Sequence, residues 1–162
     1  MVMPIVLSRG YVALVDDCDY EELSQWRWCA QPSPRTVYAM RKRTDHEACR
    51  QITVKMHRHI MSYPIGLEVD HIDGDGLNNT RANLRIATHI QNGRNRRLDT
   101  RSTTGMKGVS LLRDTGKYIS YIYAGGKKTH LGTYNTPEDA HQARREAAAR
   151  IHGEFANFEE AR

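Results

Sequence analysis

The sequence predicts an α+β fold built from small antiparallel sheets and short helices. Short β-type runs separated by turn and charge clusters fill residues 5–54, and three more lie between residues 107 and 134. Between them the pattern changes to strand, loop, strand and helix, and a capped helical segment follows the last run. The 162 residues suit one or two small domains with modest cores. We divide the chain into three segments, with boundaries after residues 55 and 100.

The composition favours an intracellular protein with an anionic partner. Net charge is +5 with a pI near 9.2, and the basic excess lies mainly in residues 101–162, which carry ten basic and seven acidic side chains. Cys18, Cys29 and Cys49 fit neither a disulfide framework nor a zinc-binding pair, so we expect reduced thiols. The sequence has no signal peptide and no apolar run of membrane-spanning length, which predicts a cytoplasmic protein without membrane association.

The first third of the chain predicts a small antiparallel sheet, the β subdomain of residues 1–55. Its β-type runs are P-I-V-L, G-Y-V-A-L-V, W-R-W-C-A, T-V-Y-A-M-R and Q-I-T-V-K. The Pro-Ser-Pro cluster at residues 32–34 predicts a turn, whereas the acidic residues 16–24 fit either a short helix or a turn. Residues 56–61 then predict a helix of one or two turns that ends before Pro64.

Residues 69–92 combine a hairpin and a helix with the polar groups that hydrolysis of a phosphodiester requires. L-E-V-D-H-I predicts a strand, a loop rich in Gly, Asp and Asn follows, and A-N-L-R-I-A-T predicts the returning strand. Thr88 can cap the helix, and a hairpin laid across it would place Asp70 and His71 near Asn92. Carboxylate, imidazole and amide groups together suit hydrolysis by a general base and a divalent cation.

This segment resembles the HNH endonuclease family, whose fold is the ββα-metal motif. The resemblance implies a nuclease core at residues 56–100, with His71 as general base and Asn83 bracing the loop that orients it. It also implies that Asp70 and Asn92 bind one divalent cation per active site. Oxygen ligands of this kind suit Mg²⁺ or Mn²⁺ better than zinc. A histidine with its ordinary pKa of about 6.5 is a usable base at neutral pH.

Several neighbours of the motif have both a functional and a structural interpretation. His89 and His57 are expected to support the site, the latter by packing under it or by touching phosphate. Asp73 and Asp75 are spaced like calcium ligands, but a distal Glu is missing, which favours simple loop solvation; the loop asparagines, Asn83 included, could be turn formers. Arginines after the motif predict phosphate contacts, with a solvated helix face as the alternative: Arg85, Arg94, Arg96, Arg97 and Arg101.

Beyond a linker at residues 102–105, three β runs and a helix fill the rest of the chain. The runs are K-G-V-S-L-L, K-Y-I-S-Y-I-Y and K-K-T-H-L-G-T-Y. Thr136 should cap the helix, Pro137 should take its first position, and Gly153 should end it. The helix stripe expected to rest on the sheet consists of Ala140, Ala143, Ala147 and Ile151.

This module resembles the Apetala or ethylene-response-factor type of DNA-binding domain over residues 105–158. The resemblance rests on K-G-V-S, G-K-Y, H-L-G-T-Y-N-T-P-E-D-A and H-G-E-F-A-N. It implies that the exposed sheet face enters the major groove of DNA. The residues it assigns to DNA contact are Lys107, Ser110, Leu112, Tyr121, Tyr123, Lys128 and His130. Because these positions lack the Arg and Trp typical of the family, we expect site preference without strict base readout.

Both segments together predict a metal-dependent endonuclease acting on double-stranded DNA. The pairing of a catalytic with a targeting module resembles HNH homing endonucleases of phages, acting in a bacterial host cell. One active site per chain predicts nicking by a monomer, with a weak dimer or successive nicks needed for double-strand cleavage. Two alternatives stay open: a DNA-binding regulator with an inactive nuclease fold, and a nuclease of defence or restriction.

Overall fold

The computed structural model describes residues 1–94 and 103–156 and divides the chain into two compact units, residues 1–92 and 93–162. Its small antiparallel sheets and short helices confirm the predicted α+β class. Among the described residues, no helix has the length and apolar character needed to cross a membrane.

The first unit begins with two small antiparallel sheets. One pairs β1 (Val2–Val6) with β2 (Val12–Asp16), and the other joins β3 (Cys29–Pro32), β4 (Val37–Asp45) and β5 (Arg50–Lys55). The acidic segment between the two sheets is a helix, α1, over Asp17–Ser24.

The strand predicted from W-R-W-C-A begins only at its fourth residue. Trp28 is buried, and its indole Nε1 donates a hydrogen bond to the carbonyl oxygen of Leu23 at 2.8 Å. The chain therefore first brings this side chain into the core beside α1, and only then continues as β3.

The nuclease segment has the predicted order of strand, loop, strand and helix. A short helix, α2 (Met56–Ile60), precedes β6 (Glu68–His71), which pairs antiparallel with β7 (Leu84–Ala87) before α3 (His89–Arg94). Thr88 caps α3, because its Oγ1 accepts a hydrogen bond from the backbone N–H of Gln91 at 3.3 Å. The Gln91 side chain returns a bond to Thr88, which completes a reciprocal cap.

Buried apolar side chains of the first unit form one continuous core. The cluster contains Ile5, Leu7, Ala13, Val15, Leu23, Trp28, Ala30, Ala39, Val54, Met56, Ile60, Val69 and Leu84. It includes residues from both N-terminal sheets and from both strands of the nuclease hairpin. The N-terminal sheets therefore form the support on which the hairpin packs.

The second unit is a three-stranded sheet packed on one helix, as predicted. Its strands are β8 (Val109–Leu112), β9 (Lys117–Ala124) and β10 (Lys127–Tyr134), with β9 in the centre. The helix α4 (Pro137–His152) begins after Thr136, whose side chain accepts a bond from the backbone N–H of Asp139. Gly153 ends it with a φ of 54°, a conformation that glycine adopts without strain.

The buried stripe of α4 differs from the predicted one. Ile151 is 38% exposed and Ala143 is only partly buried, so neither belongs to the buried face. The side chains that are buried are Ala140, His141, Arg144, Ala147, Ala148 and His152. Arg144 belongs to the buried face because its stem lies against Gly108, where an added Cβ would come within 2.6 Å of Arg144 Cδ.

Candidate active site

The loop between β6 and β7 is held together by side-chain amides. Asn83 accepts a hydrogen bond from the backbone N–H of Asp73 at 3.0 Å and donates to the Asp73 carboxylate at 2.9 Å. It also donates to the Asn78 carbonyl oxygen at 2.8 Å. Burial opposes ionisation of Asp73, but bonds from Asp75, Asn78 and Asn83 outweigh it and lower its pKa. The carboxylate of Asp73 thus serves the loop's own structure.

The imidazole of His71 is oriented by Asn79, which is fully buried. Asn79 Nδ2 donates to the carbonyl oxygens of Gly76 and Leu77, at 3.4 and 3.1 Å, which turns its Oδ1 towards His71 Nε2 at 3.3 Å. An amide oxygen only accepts, so His71 Nε2 carries the hydrogen and Nδ1 carries the lone pair. In sequence, Asn79 fitted an ordinary turn former, and only the folded loop distinguishes it from its neighbours.

Aromatic rings surround the other side of His71. The ring centroid of His57 lies 4.9 Å from that of His71, edge to face, and the Tyr38 ring lies 5.9 Å from His71 and 5.5 Å from His57. Burial lowers the pKa of His71, against the opposing effect of the Asn79 hydrogen bond and of Asp73 and Asp70. His71 is therefore held neutral, as a general base must be.

His57 packs beneath His71 and stays uncharged. Burial, then the repulsion that protonated His71 would exert, and then the charges of Lys55 and Arg58 lower the pKa of His57 to about 3. Its Nδ1 is buried and has no hydrogen-bond partner within the described part of the chain. Of the two roles predicted for His57, its position corresponds to packing under the site.

The buried neutral His57 predicts a stability that falls in acid. Its pKa of about 3 in the folded protein lies below the ordinary value of 6.5, so the unfolded chain binds the extra proton below pH 6.5. We expect His57 alone to lower the free energy of unfolding by about 2 kcal/mol between pH 7 and pH 5. Urea denaturation at several pH values measures this slope. His57→Leu should remove that part of it, whereas His46→Asn, at an exposed position, should not.

Strand β2 and the residue that precedes β4 hydrogen-bond directly to the loop between β6 and β7. In β2, the N–H of Leu14 donates to the carbonyl oxygen of Leu77 at 2.8 Å, and the Leu14 carbonyl accepts from the N–H of Asn79 at 2.7 Å. Next to β4, Thr36 Oγ1 accepts a bond from the N–H of Gly76 at 2.8 Å. These bonds fix the segment that contains Asn79.

Gly76 lies so close to β4 that a side chain cannot be added. A Cβ there would come within 2.6 Å of Tyr38 Cδ1 and of the Val37 carbonyl oxygen. We expect Gly76→Ala to lower the free energy of unfolding by about 1–3 kcal/mol, because backbone must move to admit the methyl group. Gly93→Ala is the matched control, since a Cβ there meets nothing within 4 Å. A urea midpoint of Gly76→Ala equal to that of the wild type would show that the backbone of the loop moves without cost.

Asp70 and His71 belong to opposite faces of the hairpin. In the strand register Asp70 faces Arg85, and His71 faces Leu84. Arg85 Nε and Nη2 both donate to Asp70 Oδ2, at 2.9 and 2.7 Å. Side-chain exposure is only 7% for Asp70 and 11% for Arg85. Arg85, predicted to contact phosphate, is therefore a buried partner of the predicted cation ligand in this structure.

Glu68 brings α3 to the face that carries Asp70. Alternation along β6 places Glu68 and Asp70 on the same side. Asn92 Nδ2 donates to Glu68 Oε2, and His89 Nδ1 lies 2.7 Å from Glu68 Oε1. Sequence reasoning missed Glu68, although its position two residues before Asp70 on a strand was the available signal. His89 is 82% exposed and shares Glu68 as a partner with Asn92.

The donor chemistry of this face fits a hard divalent cation. The face carries the carboxylates of Asp70 and Glu68 and the amide of Asn92, whose nitrogen donates to Glu68, so that its oxygen is the atom suited to a cation. Across residues 1–94 and 103–156, no three His, Cys, Asp or Glu side chains converge as a metal site. Mg²⁺ commonly binds one or two carboxylates and completes its shell with water and substrate phosphate, so a sparse donor set suits it.

The predicted DNA-contacting residues fall into three groups. Arg96, Arg97 and Arg101 lie outside the described residues. Arg94 ends α3, and its carbonyl oxygen accepts a bond from Lys107 Nζ at 2.7 Å. In the second unit, the strand register places six predicted positions on the sheet face opposite α4: Ser110, Leu112, Tyr121, Tyr123, Lys128 and His130.

That sheet face carries an aromatic and cationic cluster. Lys128 Nζ lies 3.8 Å from the Tyr121 ring centroid, and the rings of Tyr121 and Tyr123 meet edge to face at 6.0 Å. Tyr123 is 59% exposed, whereas Ser120 and Ile122, on the other face of the same strand, are buried. The cluster offers flat rings and a positive charge to solvent.

The hairpin carries a neutral histidine on one face and carboxylates on the other, and the helix that follows it brings an amide to the carboxylate face; this is the arrangement of a ββα nuclease core. Comparison with known proteins gives the same class: a model of the HNH endonuclease family matches residues 54–94. The chain is 32% identical over 150 residues to an uncharacterized HNH endonuclease of Acanthamoeba polyphaga mimivirus, covering 92% of this chain and 75% of that protein. It is 33% identical over 98 residues to Protein 3.8 of Escherichia phage T7, covering 59% of this chain and 78% of that protein. No solved structure matches.

The chain therefore belongs to the HNH endonuclease family. The family model matches only the segment from the end of β5 to α3. Three residues outside that segment contact it. Leu14 and Thr36 hydrogen-bond to the loop between β6 and β7, and the Tyr38 ring contacts His71.

Proposed function

We propose that this protein is a divalent-metal-dependent DNA endonuclease that nicks double-stranded DNA with His71 as general base. The observation that carries the proposal is the buried, neutral His71 whose protonated nitrogen is directed to Asn79. That arrangement leaves Nδ1 with the lone pair that a base requires.

In the proposed reaction, His71 Nδ1 takes a proton from a water molecule as the water oxygen attacks phosphorus. The bond from phosphorus to the leaving sugar oxygen then breaks and that oxygen takes up a proton from solvent water, so each reaction cuts one strand. Asn79 holds the ring in the required tautomer, and Asn83 keeps the loop closed around it. His57, which stays neutral, packs against the His71 ring and limits its rotation.

Asp70 and Asn92 are the proposed cation ligands, with Glu68 positioning Asn92. A bound Mg²⁺ or Mn²⁺ would neutralise charge on the phosphate and on the leaving oxygen. Oxygen donors favour these hard cations over zinc.

We infer that the second unit targets the nuclease to DNA in the manner of an Apetala-type domain. The support is the sheet face opposite α4, where Tyr121, Tyr123 and Lys128 can stack on bases or bind phosphate. These positions lack the arginine side chains that form two hydrogen bonds with guanine, so we expect preference for sites without strict sequence readout. A catalytic module tethered to such a module gains effective concentration on DNA.

Incubation of the purified chain with supercoiled plasmid and Mg²⁺ tests the proposed activity. We expect nicked circles that EDTA abolishes. If wild-type protein gives no more nicked circle than His71→Ala, the alternative of a DNA-binding regulator with an inactive fold is supported instead. Mapping of cut ends on phage and host genomes then separates homing from restriction, because frequent dispersed cuts contradict a homing role.

A further inference from the structure

Arg85 is hydrogen-bonded to the carboxylate of Asp70, which is proposed to bind the cation. Two guanidinium N–H groups donate to the same oxygen of Asp70, at 2.9 and 2.7 Å. The two residues face each other across the hairpin, and both side chains are almost fully buried. Backbone pairing of the two strands therefore places the guanidinium next to the carboxylate.

A divalent cation at Asp70 would meet an existing positive charge. Like charges repel strongly where little water separates them, and the two negative charges of Asp70 and Glu68 cannot neutralise the three positive charges of a guanidinium and a divalent ion. We propose that Arg85 keeps the cation affinity of the DNA-free enzyme low and couples cation binding to DNA binding. This inference rests on the proposed function and adds a positioning role for Arg85 within it.

A DNA phosphate resolves the conflict because it supplies the missing negative charge. A guanidinium forms bidentate bonds with phosphate as readily as with carboxylate, so Arg85 can transfer from Asp70 to the phosphate without losing its pairing. Asp70 is then released to the cation. Coupling of this kind is reciprocal, so the cation should also strengthen DNA binding by the same factor.

Titration with Mn²⁺, with free ion measured by electron paramagnetic resonance, tests the proposal on the DNA-free full chain. We expect Arg85→Gln to bind Mn²⁺ about tenfold or more tightly than wild type, and Arg85→Lys, which keeps the charge, to remain weak. Arg81→Gln is the control for loss of an arginine–carboxylate pair elsewhere in the unit, because Arg81 donates to both oxygens of Asp19, at 2.8 and 2.7 Å. Equal or weaker affinity of Arg85→Gln overturns the inference.

A second titration measures the coupling itself in a His71→Ala background, where cleavage cannot consume the DNA. A short mixed-sequence duplex should raise Mn²⁺ affinity in this background, and by a smaller factor once Arg85→Gln is added. The same factor in both proteins contradicts the proposal. Since neither titration requires cleavage, failure of the nuclease proposal and failure of this inference give different results.

Removal of Arg85 leaves Asp70 buried without its guanidinium, and Arg85→Gln could fail to fold. The wild-type chain then provides the test through the Nε–H nuclear magnetic resonance signal of Arg85, assigned with Arg85→Lys. Mg²⁺ alone, at concentrations that saturate the ternary complex, should leave this signal unchanged. Mg²⁺ and duplex DNA together should shift it. An unchanged signal with both ligands present overturns the inference.

Discussion

Replacing His71 with alanine is expected to slow plasmid nicking by about a hundredfold to ten-thousandfold, the usual loss for a general base. The structure gives the reason, because Asn79 directs the proton of His71 to Nε2 and so assigns the basic lone pair to Nδ1. Alanine removes that lone pair. DNA affinity should change little, since the residue is buried and contributes no net charge. Nicking rates and gel-shift titrations on the same plasmid fragment measure the two effects separately.

His46→Ala is the matched control for this experiment, because His46 is exposed and lies in the turn between β4 and β5. It should nick at the wild-type rate. Full activity of His71→Ala would contradict the assignment of the base. An equal loss of nicking and of DNA affinity would instead indicate a folding defect, which urea denaturation would reveal.

Local sequence patterns were enough to predict the hairpin and the helix of the nuclease core. Strand alternation, a loop rich in turn formers and a capping threonine at Thr88 each determine nearby structure, and all three elements form where expected. The same holds for α4, whose capping residue Thr136 and terminating Gly153 act within one turn of the helix ends. Elements determined by interactions between residues close in sequence can therefore be predicted from the sequence alone.

Partners distant in sequence could not be predicted in the same way. Tyr38, in β4, contacts His71, and Leu14, in β2, hydrogen-bonds to the loop between β6 and β7. Both contacts depend on how whole sheets pack. Arg85 was predicted to contact phosphate from its positive charge, but the charge of a residue does not reveal whether its side chain is buried. Its pairing with Asp70 follows from the strand register, which one sequence does not specify residue by residue.

The N-terminal sheets are part of the structural unit that supports the nuclease motif. Residues 54–94 contain the motif, yet the segment that positions Asn79 is bonded to Leu14 and to Thr36. The hydrophobic core also runs from Ile5 to Leu84 without a break between sheets and hairpin. A fragment limited to the motif would therefore lose part of the structure that orients the base.

Deletion of residues 105–162 is expected to weaken DNA binding by about a hundredfold or more, the range in which tethered modules add avidity. The first unit retains its own core and all the proposed catalytic residues, so slow nicking should persist. Cut positions should become less selective, because contacts to the phosphate backbone alone carry no direct sequence information. Gel-shift titration and mapping of cut ends measure affinity and selectivity.

A full-length control separates targeting from a general effect of truncation. Tyr121→Ala combined with Lys128→Ala removes the ring and the charge that meet at 3.8 Å on the exposed sheet face, while Ser120 and Ile122 still pack towards α4. This double variant should reproduce most of the loss in affinity and a weaker dependence of binding on salt, since one phosphate contact is lost. If the deletion leaves affinity and cut positions unchanged, the sheet does not target the nuclease. If only the deletion has an effect, targeting involves another surface of the second unit.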